Sequence, residues 1–256
     1  MKRPIGTIRQ EGFTLIELLV ALGIFLLITG AAFTLLGSSQ QRYRTESQVL
    51  NSFQEARLGL DQIVRDVNDS GYPPPSFNAG DPTQFAYSPF AWSPSYPGTS
   101  CQIGTCATPG DFDLIVETNP NPQDPACPPN CVQWIRYQLQ FPPVVQVPTL
   151  MRGAVFKRVG GDPDADTSAA GVLVPFVQNV VNSPAQPIFS YTCDTSAAPQ
   201  LPPLPCPLAT AADKIPANIR DVIINLIVAA PQPDATSGQQ RIVTLTGRGR
   251  RVNPNQ

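Results

Sequence analysis

The chain contains no histidine among its 256 residues. A Ser-His-Asp or Cys-His arrangement is therefore impossible. No G-x-S-x-G turn and no phosphate-cradling glycine loop occurs either. Two acids could in principle serve a glycosidase, yet nothing in the sequence singles out a pair. Neither enzyme activity nor a cofactor is expected. Strong charge is missing as well. The formal net charge is −2 and the isoelectric point about 5.1, so no bulk field favours nucleic acid. Proline is plentiful, 30 in all, but none lies between Phe13 and Leu36.

That proline-free stretch of 24 residues carries one charge, Glu17. As a helix it would run about 36 Å, enough to cross the hydrocarbon core of a bilayer. A carboxylate in such a helix costs about 2.5–3.5 kcal/mol on insertion scales. Glu17 must either snorkel to the headgroups or find a partner. Lys2, Arg3 and Arg9 precede the span, which keeps the leader in the cytoplasm and sends the rest outward. The apolar run exceeds that of a secretory signal, and no small-x-small site with a clear break follows it.

Gly12, Phe13, Thr14, Leu15, Ile16 and Glu17, with the basic leader and the apolar run, resemble the signal of type IV prepilins and pseudopilins. The resemblance implies cleavage after Gly12 by a prepilin peptidase, N-methylation of Phe13 as the new N-terminus, and a subunit-pairing role for Glu17. It also implies partners: other minor and major pilins and an inner-membrane assembly platform. The precursor would be a single-pass inner-membrane protein with its globular part outside the cytoplasm, later carried into a pilus. Arg57, Leu60, Ile63, Arg65, Asp66, Val67, Gly71 and Tyr72 resemble the helix end of PilW-type minor pilins, and the layout is similar to pseudopilin J of type II secretion. Major pilins usually carry a proline partway along this helix; here the region reads Gly30-Ala31-Ala32-Phe33-Thr34, which favours a minor pilin. A signal-anchored binding protein that never polymerises is the rival from another class.

Beyond Leu36 nothing must stop the helix. Leu50, Phe53, Ala56, Leu60, Ile63 or Val64, and Val67 mark one apolar face, with Asp61, Arg65 and Asp66 among the charges elsewhere. The helix should end near Ser70-Gly71, before Pro73, Pro74 and Pro75. Gly23, Gly30 and Gly37 recur every seven residues, either as a packing stripe or because glycine is common in membrane helices. Residues 72–110 are expected to be loop, with Phe77, Phe85, Tyr87, Phe90, Trp92 and Tyr96 pinning it to the domain rather than forming an adhesive patch. Strands are expected at 113–117, 132–141, 150–159, 188–192, 219–229 and 239–250. Residues 172–181 are ambiguous between helix and strand. The expected fold is α+β, the pilin-like lollipop. One long N-terminal helix, half transmembrane and half amphipathic, packs on an antiparallel β-sheet domain with long Pro-rich loops. The expected divisions are a leader at 1–12, a membrane or filament-core helix at 13–36, its amphipathic continuation at 37–70, and a β-rich domain at 71–256.

Six cysteines fall into three sequence-local couples: Cys101 and Cys106, Cys127 and Cys131, Cys193 and Cys206. An even count in an exported domain reads as disulfides, with 15 connectivities open and the local ones favoured because short loops close easily. Zinc is the rival, against which stand unusual spacings and the missing histidine. Asp162, Asp164 and Asp166 space like the start of a calcium loop, but Leu173 stands where the closing glutamate belongs, so a solvated turn is expected. Arg248, Arg250 and Arg251 could contact phosphate, or simply end a strand in solvent.

Overall fold

The computed structural model describes residues 12–122, 131–194, 204–206, 214–233 and 238–251. They divide into two compact units that meet in the sequence between Ser47 and Gln48. Helix α1, Leu15–Asn68, runs through both. No proline interrupts it, and it stops where the chain turns back: Ser70 N–H donates to the Val67 carbonyl, and Gly71 takes φ +80°, a left-handed conformation suited to glycine.

In the first unit the apolar side chains of α1 are exposed, with none of the described residues packed around them. Leu15 is 80% exposed and Leu27 76%, and the helix is long and apolar enough to cross a membrane. Water is a poor solvent for such a surface, so lipid or other helices must cover it.

The second unit holds two antiparallel sheets. The first runs in the order β1 (Phe90–Ala91), β2 (Asp113–Thr118), β3 (Gln133–Gln140), β4 (Thr149–Phe156) and β5 (Val174–Gln178). A short helix, α2 (Pro163–Thr167), lies between β4 and β5. The second sheet has the spatial order β7 (Leu204–Pro205), β6 (Phe189–Cys193), β8 (Ile219–Ala229) and β9 (Ile242–Arg250). The sequence predicts one sheet. Two form because the chain leaves β5 at Asn179, with positive φ, and Val180 bridges to Val228 of β8. Inner residues of both sheets then share one core with α1, built on Ile63, Val67, Tyr137, Leu150, Phe189 and Ile224 among others.

The amphipathic reading of α1 holds from Ala56 onward, with two corrections. Val49, not Leu50, is the first buried residue; Leu50 is exposed. Asp66, read as part of the polar side, is buried on the core side, where its carboxylate accepts from the Tyr137 hydroxyl at 2.5 Å and pairs with Arg152 at 3.0 Å. Burial without those donors would be costly. The ambiguous stretch at 172–181 resolves as β5, and β4 ends at Phe156, earlier than the alternation suggests.

Gly247 and Gly249 of β9 let α1 approach the second sheet. A Cβ on Gly249 would lie 2.6 Å from the Val67 Cβ, and one on Gly247 would lie 2.8 Å from a Leu60 methyl. Gly249→Ala is therefore expected to cost about 1–3 kcal/mol through overpacking, read as a lowered denaturation midpoint.

Candidate functional site

The described chain begins at Gly12, and the first turn of α1 follows within three residues. Thr14 and Glu17 close this turn reciprocally. The Thr14 backbone N–H and hydroxyl donate to Glu17 Oε2 at 3.0 and 2.9 Å, while the Glu17 N–H donates to Thr14 Oγ1 at 3.3 Å. This is a capping box, which satisfies helix-start donors that otherwise have no partner. The Thr-x-x-Glu spacing announces it in the sequence, but the expectation gave Glu17 a charge pair with the Phe13 ammonium, of a neighbour or of its own chain, and no cap. One carboxylate oxygen, Oε2, carries both contacts. Among the described residues Oε1 has no hydrogen-bond partner, so it is open to a cation. The methylene stem and the neighbouring Phe13, Leu15 and Ile16 side chains lie exposed around it. Gly23, Gly30 and Gly37 meet no atom within 4 Å of where a Cβ would stand, so close approach by another helix is sterically open at all three.

Residues 8–33 match the family model of the prokaryotic N-terminal methylation motif. The chain carries a prepilin-type N-terminus. This supports the type IV pilin and pseudopilin family, processing by a peptidase and anchoring in a membrane, a structural rather than catalytic setting. No curated protein and no solved structure matches the chain.

The other candidate residues are placed as follows. Disulfides join Cys101 to Cys106 and Cys193 to Cys206. Cys131 is also disulfide-bonded, and Cys127 lies outside the described residues. The three aspartates do not converge on one point. Asp162 caps α2, accepting from the Asp164 and Ala165 N–H groups; Asp164 pairs with Arg136 at 2.6 Å; Asp166 pairs with Arg158. The expected solvated turn is thus a short capped helix, two of whose acids are turned onto arginines. Among the described residues no group of three or more acids, cysteines or histidines could hold a metal ion. Arg248 pairs with the buried Asp221 at 2.7 Å, and Arg251 lies 3.9 Å from Asp194.

The aromatic loop is anchored mostly as expected, through Phe85, Phe90, Trp92 and Tyr96, all buried; Phe77 and Tyr87 stand half exposed. What the sequence did not reveal is the polar clamp beneath it. Glu117 of β2, fully buried, pairs with Lys157 at 2.6 Å and accepts from the Tyr96 hydroxyl and from the Tyr87 N–H at 3.2 Å. The Lys157 ammonium also donates to the Phe85 carbonyl at 2.9 Å and lies 4.7 Å from the Tyr87 ring centroid. Burial raises Glu117 above the ordinary carboxylate range, against the pull of Lys157. Residues 85, 96, 117 and 157 are too far apart in sequence for any spacing rule to link them.

Proposed function

We propose that the chain is a minor pilin of a type IV pilus system, most like the PilW type. It would be held in the inner membrane as a single-pass precursor, cut after Gly12 and methylated at Phe13. The observation that carries this reading is Glu17, the one charge in the apolar span 13–36 that follows Gly12 and forms the start of helix α1. Cleavage leaves an ammonium on Phe13. A neighbouring subunit's Glu17 can neutralise it in a bundle of such helices, where both charges are poorly solvated. Burial of the apolar helix drives packing; the pair sets register and admits only processed subunits. The missing proline near Gly30 speaks for a priming or tip subunit over a bulk one. The disulfide-tied outer domain then contacts partner pilins or presents a surface.

Shearing filaments from the native host tests this. The protein is expected in the pilus fraction at a small fraction of the major subunit, and its deletion should remove most surface pili. A deletion strain with normal pili but blocked protein secretion would assign the chain to a type II pseudopilus instead. Absence from every filament fraction would favour the non-polymerising anchor.

A further inference from the structure

We propose that the free edge of β9 receives an extended acidic segment of another protein chain as an added β-strand. The inference concerns the second unit alone and stands apart from the filament reading.

The direction of each backbone group along β9 follows from its ends. Ala230 N–H donates to the Arg241 carbonyl and Arg251 N–H to the Arg220 carbonyl, so the odd-numbered residues face β8. Arg250 N–H instead points away from β8 and donates to Asn68 Oδ1 at 2.8 Å. The register from Ala229–Ile242 to Asp221–Arg250 has no shift. In an antiparallel ladder the outward residues therefore alternate without a break: Ile242, Thr244, Thr246 and Arg248 aim both N–H and C=O away from the sheet. Among the described residues no backbone or side-chain group pairs with these four outward N–H groups.

Sheet edges are normally blunted by short strands, proline or bulges. The other edges here follow that rule. β1 and β7 have two residues each, and β5 contains Pro175 and pairs with β4 across a register shift. β9 has nine residues, no proline and no bulge. Its side chains beside the edge are Ile and Thr, suited to a strand, and they are exposed. Such an edge is a template for strand addition, in which main-chain bonds supply affinity.

Charge selects the occupant. Arg248 and Arg250 have side chains 55% and 57% exposed and share one buried acid, Asp221. That leaves one positive charge unbalanced at the strand's end. Arg57, Asp61 and Arg65 of α1 and Asp69 just past its end fall at four-residue spacing along the stripe beside Asn68, all exposed, and their charges balance, so the excess at this edge is that of Arg248 and Arg250. A second copy of this chain would bring the same positive excess to the contact, whereas an acidic segment complements it.

The test uses the full chain in detergent micelles and two synthetic eight-residue peptides of alternating valine and threonine, one ended by glutamates and the other by lysines. Residue-resolved amide exchange is followed as each is titrated. The glutamate peptide should slow exchange at Thr244 and Thr246 by about tenfold or more, and the lysine peptide should bind about tenfold more weakly or worse. Thr246→Pro removes one outward N–H while sparing the β8 ladder and should abolish protection; Thr246→Val should keep it. Unchanged exchange at both threonines overturns the proposal, as does equal protection by the lysine peptide. Protection that instead grows with protein concentration alone would hand the edge to a second copy and overturn it too. The wild-type titration decides the matter even if the proline variant does not fold.

Discussion

Glu17→Gln should leave the protein inserted in the membrane, leave helix α1 intact, and still exclude it from filaments. The geometry separates two roles that an alanine substitution would confound. Glu17 closes a capping box with Thr14, and it supplies the single negative charge in the apolar span. Glutamine serves in a capping box as glutamate does, so Glu17→Gln keeps the cap and removes the charge. Glu17→Ala removes both the charge and the reciprocal contact to Thr14. If charge pairing with a neighbour's Phe13 ammonium governs assembly, both variants vanish from sheared filaments and accumulate in the membrane. Normal incorporation of Glu17→Gln with loss of Glu17→Ala would show that Glu17 acts through its own helix.

The second large effect concerns the outer unit. Lys157→Met should destabilise it by about 3–5 kcal/mol at pH 7, because Glu117 is left fully buried without its cation and must either hold an unpaired charge or take up a proton. The loss should shrink as the pH is lowered. Burial already holds the Glu117 pKa above its unfolded value of about 4.5, and removing the ammonium lifts it further. A group raised in the folded state contributes stability that is complete below its unfolded pKa and is lost as pH rises through the folded pKa. Denaturant titrations at pH 7 and near pH 4.5 should therefore show the variant approaching wild type at the acidic end. A pH-independent cost would mean that the pair is not what clamps the aromatic loop.

The elements that sequence patterning captured are those whose signal is local. The long helix follows from a proline-free apolar run continued by a three-and-four spacing, and β2, β3 and β8 from alternation or sustained apolar character. What escaped depends on distant residues. Asp66 looked like a solvent charge because its partners, Tyr137 and Arg152, lie 71 and 86 residues away. β1 and β7 have two residues each, too few for any period to register. The second sheet arises from a redirection at Asn179 that ordinary loop composition hides. Helix α2 carried its own start signal, Asp162 followed by Pro163, but five residues are too few for a helical period to show, and the stretch reads as a solvated turn. At the N-terminus the motif was readable residue by residue, and so was the Thr-x-x-Glu spacing of the cap, but the same carboxylate also fits a charge-pairing role that masks it.

Mass analysis of the N-terminus, on protein taken from filaments or membranes of its native host, bears most directly on the account. A mature chain that starts at N-methylated Phe13 is the predicted result, since only that cut creates the cation for Glu17 to meet. Functioning, assembled protein that still begins at Met1 would contradict it.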